Sequence, residues 1–97
     1  MQLFETGQIV TTRGVYDLMD LEPEFLDFVL HSFARHFYGD WGDLDPEDKE
    51  SNDEALLSGD RLVSAYEYPD PEHEDWKIWI ITEWDRSATT ILFPYEY

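Results

Sequence analysis

The segment Trp76 to Glu83 constrains the fold more than any other part of the chain. Its β-branched and aromatic residues occupy both alternating faces. A strand that is apolar on both faces needs cover on both, which places it inside a sheet. The flanking sequence supplies two neighbours. Leu62, Ser64, Tyr66 and Tyr68 alternate with Arg61, Val63, Ala65 and Glu67, and Pro69 and Pro71 then break the run into a charged loop, Pro69 to Asp75. On the other side, Asp85-Arg86-Ser87 reads as a turn, Thr89 to Phe93 as a returning strand and Pro94 as its end. Connections this short predict an antiparallel meander. Gln8 to Thr12, β-branched and lying between Gly7 and Gly14, reads as a further short strand.

Between these strands the apolar period changes. Phe25, Phe28, Val29, Phe33 and Phe37 recur at spacings of three and four, which puts them on one helix face. Pro23 suits the first helical position and Gly39 the stop. Asp27, His31 and Arg35 fall on the opposite face, spaced for a ladder of charge pairs. Val15 to Met19 reads as a single helical turn. Asp45 before Pro46 predicts an N-cap, and Gly59 ends a second helix that runs to about Ser58. Its apolar face is thin: Ala55, Leu56 and Leu57, with Leu44 packing where the helix begins. The expected fold is α+β. A three- to four-stranded antiparallel sheet, the C-terminal meander, carries one main helix and a second, acidic helix. With 97 residues the chain reads as one domain, 1–97.

Charge narrows the function. Against 23 Asp and Glu stand 6 Lys and Arg, a net charge of −17. Direct binding to the polyanions DNA and RNA is disfavoured, as is binding to an anionic membrane. Such a field favours the basic surface of another protein. With no Cys there are no disulfides or thiolate metal sites, which fits a reducing cytoplasm. Met1 to Val10 lacks the basic-then-apolar pattern of a signal peptide, and no apolar stretch approaches the ~20 residues of a membrane span. The expected location is cytoplasmic.

The carboxylates are concentrated in two places. Asp40, Asp43, Asp45, Glu47, Asp48, Glu50, Asp53, Glu54 and Asp60 face only Lys49, and Glu67, Asp70, Glu72, Glu74 and Asp75 form a second group. On a helix, carboxylates three or four apart are about 5–6 Å from one another. Phosphates on a nucleic-acid strand repeat on a comparable scale, about 3.4 Å of axial rise. A folded acidic surface can therefore occupy a groove built for DNA or RNA. The alternative for such a run is a solvated face.

Other chemistry reads more weakly. Asp43, Asp45, Glu47 and Glu54 match positions of a calcium loop, but Asp48 stands where that loop needs Gly, and Pro46 interrupts it. His31 and His36, five apart, point to different helix faces. His36 reads as a core histidine and His73 as an exposed one. Neither a metal nor a cofactor is expected. Arg13, His36, Asp40, Arg61, Glu83, Asp85, Arg86 and Ser87 contain acid–base ingredients without a motif that joins them. The arginines are more simply partners for acids within the fold, and the chain reads as a non-enzyme. Trp79 reads as core. Trp41 and Trp84 read as interface anchors, a role tryptophan often fills.

Two segments carry a resemblance. Thr12-Arg13-Gly14-Val15, and Lys77-Ile78-Trp79-Ile80 through Thr90-Ile91-Leu92-Phe93-Pro94-Tyr95-Glu96-Tyr97, resemble a family of short bacterial and phage proteins. That family carries a domain of unknown function. The middle, Arg35-His36, Gly39-Asp40-Trp41-Gly42, Asn52-Asp53, Ala55-Leu56 and Gly59-Asp60-Arg61, is similar to a subgroup found on plasmids, integrative elements and phages. The resemblance spans nearly the whole chain and implies a shared fold and a mobile-element setting.

With the charge, it points to a non-catalytic inhibitor of a host defence protein, a CRISPR effector or a restriction enzyme. The inhibitor would block a basic groove by imitating nucleic acid. The expected contact residues are Asp40, Trp41, Asp43, Asp45, Glu47, Asp48, Glu50, Asp53, Glu54, Glu72, Glu74 and Asp75. The alternative is a small accessory protein–protein module for plasmid maintenance or transfer, dimeric through a sheet edge or its tryptophans.

Overall fold

Strand β3 (Lys77–Thr82) lies inside a four-stranded sheet of order β1-β4-β3-β2, with a strand on each side of it. Its neighbours are β2 (Leu62–Glu67) and β4 (Ala88–Leu92), both antiparallel to it. The computed structural model describes residues 2–97. The outer strand β1 (Gln8–Thr11) runs parallel to β4, with Gln8 opposite Ala88 and Thr11 opposite Ile91. The sheet is therefore mixed, not wholly antiparallel as expected. Short turns force antiparallel pairing only among β2, β3 and β4. Between β1 and β2 lie three helices, enough chain for β1 to take either direction.

Helix α1 (Arg13–Leu21) is longer than the single turn expected. Thr12 caps it, its hydroxyl accepting from the Val15 amide at 3.4 Å. The helix ends at Glu22, whose extended backbone (φ −125°, ψ 102°) is what a residue before proline prefers. Pro23 then opens α2 (Pro23–Phe37). These two helices pack on one sheet face. Val15, Phe25 and Val29 meet Tyr66, Ile78, Ile80 and Ile91 in the main core. Each such side chain contributes about 1.5–3 kcal/mol on burial. The charge ladder on α2 does not form, because Arg35 turns instead to Asp40.

Helix α3 (Pro46–Ser58) begins and ends as its sequence predicts. Asp45 accepts from the Asp48 amide at 2.9 Å, and Gly59 closes the helix at φ 83°. Its buried face differs: Leu57 is 92% exposed, while Asn52 is buried beside Ala55. Asn52 works as a substitute strand. Its amide nitrogen donates to the Val63 carbonyl at 2.6 Å, and its oxygen accepts from the Val63 amide at 3.1 Å. The next outward residue of β2, Ala65, accepts from the Asp43 amide and donates to the Trp41 carbonyl. The Glu67 amide donates to the Asp43 carboxylate at 2.8 Å. The β2 edge is thus closed residue by residue, as exposed sheet edges require. Gly42 makes this approach feasible: at φ 78°, an added Cβ would lie 2.0 Å from the Ala65 carbonyl oxygen. Asn52→Ala leaves both Val63 groups unpaired and is expected to cost about 1–3 kcal/mol in urea unfolding.

Among the described residues, no helix is long and apolar enough to cross a membrane.

Candidate functional site

The expected contact residues divide by what their side chains already do. Asp40 is committed to the fold. Arg35 donates to it through Nε at 2.7 Å and Nη2 at 3.1 Å, and the Gly42 amide adds a bond at 3.1 Å. The Arg35 guanidinium holds the Asp40 carboxyl below the usual carboxylate range, and Asp40 raises Arg35 in return. The same guanidinium lies 5.0 Å from the centre of the Tyr66 ring, whose hydroxyl donates to the Asp40 carbonyl. Asp43 receives the Glu67 amide, Asp45 caps α3, and Asp53 accepts from Trp41 Nε1 at 2.9 Å.

Trp41 departs most from expectation. It is 3% exposed, enclosed by Phe4 and His36 and grouped with Ala55 and Leu62 in a smaller core. Its indole is not on the surface, because the loop before α3 turns inward to close the β2 edge. Trp84 is exposed as expected, and Trp79 is half-buried rather than core.

The remaining acids are free of such duties. Glu47, Glu50 and Glu54 are exposed on α3 at spacings of three and four, one stripe on the side away from Asn52 and Ala55. Among the described residues the ion pairs are Arg13–Asp17, Arg35–Asp40 and Lys77–Glu67, so none neutralises this stripe. Asp48 is exposed on the flank of α3 nearer the sheet. Glu72, Glu74 and Asp75 are exposed in the loop before β3, where Asp70 caps a short 3-10 turn (Pro71–His73) by accepting from the Glu72 amide. A groove of about 590 Å3 joins the two acidic regions, with Asp43 from one and Glu67, Asp70 and Glu74 from the other.

The calcium-like window is helix rather than loop, since α3 starts inside it. His73 is half-buried and stacks on Trp76 at 3.8 Å, not exposed as expected. Among the described residues no three His, Asp or Glu side chains converge on a point that would hold a metal. The acid–base candidates are dispersed into separate structural tasks. Arg61 donates to the Tyr97 hydroxyl at 2.7 Å, and Asp85 accepts from the Ser87 amide within its turn. Arg86 pairs with carbonyls rather than acids. Its Nη1 reaches those of Asp60 (2.7 Å), Glu83 (3.0 Å) and Trp84 (3.4 Å), and its Nη2 that of Ala55 (3.3 Å).

His36 is fully buried, as expected of a core histidine, and sits in a polar relay. Nδ1 is 2.6 Å from Ser64 Oγ and Nε2 is 2.9 Å from Thr82 Oγ1. Thr82 Oγ1 is 2.8 Å from Thr89 Oγ1, which donates to the Thr6 carbonyl. Each hydroxyl has one proton, so the directions follow from that last bond. Thr89 spends its proton on Thr6 and must accept from Thr82. Thr82 must then accept from His36, which places the imidazole proton on Nε2. Ser64 donates to Nδ1. All four bonds point one way and reinforce one another. Burial, aided by the Arg86 charge, pushes the His36 pKa down to about 4, so the ring is neutral.

No protein-family model, curated protein or solved structure matches the chain.

Proposed function

We propose that this chain is a non-catalytic inhibitor from a mobile element. It blocks the basic, nucleic-acid-binding groove of a host defence protein, such as a CRISPR effector or a restriction enzyme, in the cytoplasm. The observation that carries this reading is the α3 stripe. Glu47, Glu50 and Glu54 stand in one exposed row with no cation against them, in a chain of net charge −17. Self-repulsion of such a row opposes folding, and a basic groove removes that penalty on contact. Opposite charge speeds encounter, and salt screens it. The resemblance to plasmid and phage proteins supplies the biological setting. Nucleic acid itself is not the ligand.

The test is a charge reversal that spares the acids with structural duties. Glu47→Lys, Glu50→Lys and Glu54→Lys together move the net charge from −17 to −17 + 6 = −11. Asp40, Asp43, Asp45 and Asp53 stay native. Inhibition of DNA cleavage by a purified Cas9 complex or restriction enzyme is expected to weaken by about a hundredfold, roughly 1 kcal/mol per reversed charge. Far-ultraviolet circular dichroism should be unchanged. Inhibition that survives both the reversal and high salt favours the alternative, an accessory interaction module in which charge serves solubility alone.

A further inference from the structure

Helices α1 and α2 cover one face of the sheet; on the other, among the described residues, no α-helix packs, and only the short C-terminal 3-10 turn (Pro94–Glu96) touches β3. Paired residues in a sheet point the same way, so the register places Val10, Thr90, Ile81 and Val63 in one row of this open face. Leu92, Trp79 and Ala65 form the next row. The C-terminus covers part of it. Tyr97 meets Trp79 edge-on at 5.4 Å, while Arg61 lies 5.6 Å from the centre of the Tyr97 ring and donates to its hydroxyl. Ile81 and Leu92 are buried, and Val63, Ala65, Trp79 and Thr90 are half-buried.

Trp79 lines two grooves on this face. The larger, about 410 Å3, is lined by Leu44, Asp48, Arg61 and Val63 among others. The smaller, about 210 Å3, includes Asp43, Glu67, Lys77 and Pro94. Lys77 is ion-paired with Glu67 at 3.2 Å, while the Arg61 guanidinium keeps its charge and is turned onto the Tyr97 ring and hydroxyl. Among the described residues Asp48 has no ion-pair partner. The larger groove combines an indole, the apolar Leu44 and Val63, and a carboxylate without an ion-pair partner, with Arg61 held aside on Tyr97. Guanidinium suits that combination better than ammonium: it is planar, stacks on aromatic rings and forks onto a carboxylate. The fold contains the same arrangement internally, in Arg35 set over Tyr66 and paired with Asp40.

We propose that the open sheet face is a docking platform for an arginine of the basic partner, its guanidinium stacked on Trp79 and paired with Asp48. This rests on the reading of a basic protein partner and adds its short-range anchor. A second copy of this chain is the poorer occupant, because it would bring two chains of net charge −17 together.

The test is an NMR titration of the 15N-labelled full chain with deca-arginine peptide at about 0.15 M salt. Saturable shifts are expected at the Trp79 indole N–H and at the Val63 and Thr90 amides. Deca-lysine should bind more weakly at the same positions. Asp48→Asn and Trp79→Leu should each weaken deca-arginine binding by about tenfold; the first leaves the sheet intact if the second disturbs it. Shifts confined to the Glu47–Glu54 stripe would overturn the platform and leave the acidic-surface reading standing. No saturable shift anywhere would overturn both. Equal binding of deca-lysine, or face shifts that track protein concentration without peptide, would overturn the platform in favour of plain charge or of self-association.

Discussion

Acidification from neutral pH to about pH 5 is expected to remove about 2 kcal/mol of stability through His36 alone. The sign follows from the relay. In the unfolded chain this histidine has its ordinary value of 6.5, while burial in the folded protein lowers it to about 4. Between these values the unfolded state binds the extra proton. Stability is therefore intact above 6.5 and declines as pH falls through that value toward 4, where the contribution lost reaches about 3 kcal/mol. Protonating Nδ1 would also remove the acceptor that Ser64 needs, so the relay cannot accommodate the charge by small movements. Carboxylate protonation relieves self-repulsion over part of the same range, which requires a matched control. His36→Gln keeps every carboxylate. The difference in urea-unfolding free energy between wild type and this variant should shrink by about 2 kcal/mol between pH 7.5 and pH 5. A constant difference would show that His36 takes up its proton equally in the folded and unfolded chains, with no shift from burial.

Arg86→Ala is the second large expected loss, about 2–4 kcal/mol, or a fall of roughly 10–25 °C in Tm. One guanidinium holds the Glu83–Trp84 end of the β3–β4 turn, the Asp60 loop and the last turn of α3 through Ala55. Its charge also complements the negative end of the α3 dipole. Arg86 adopts φ 60°, a left-handed conformation that costs a non-glycine residue on the order of 1 kcal/mol. Arg86→Gly loses the clamp but not the conformation. It should be less destabilised than Arg86→Ala by about 1 kcal/mol. Thermal denaturation of the two variants beside wild type separates clamp from strain. Equal Tm values would mean that the turn relaxes when the clamp is gone.

Local signals carried most of the fold. The caps at Asp45 and Gly59, the Glu22-Pro23 junction and the phenylalanine stripe are written in adjacent residues, and the helices follow them. The meander was legible because its connections are short. What was not legible depends on distant partners. The direction of β1 is set after three helices, and its sequence, Gln-Ile-Val-Thr, suits either orientation. Trp41 lies in a glycine-flanked acidic loop that reads as surface. Its burial requires Phe4, His36 and the Asp53 acceptor, residues scattered across the chain. Asn52 did carry a usable signal. It precedes Ala55 and Leu56 by three and four positions, which places a polar residue on the face that packs. The acidic group was legible as composition, but its division into acids that brace the fold and acids that face outward was not. That division depends on hydrogen bonds made by Arg35, Trp41 and the backbone of β2.

The two borders of the sheet differ in what they permit. Along β2, Asn52 and the Trp41–Asp43 segment occupy every outward-facing position from Val63 to Glu67. Along β1, the parallel ladder uses Gln8, Val10 and Thr12, which turns the backbone groups of Ile9 and Thr11 outward, and no described strand pairs with them. If β1 pairs with the β1 of a second copy, the combined sheet has a sealed β2 at each end. Between copies of this chain joined in that way, growth terminates after a single addition. With its β2 edge sealed, this chain lacks the second free edge that an open-ended strand-to-strand polymer of its own copies would need.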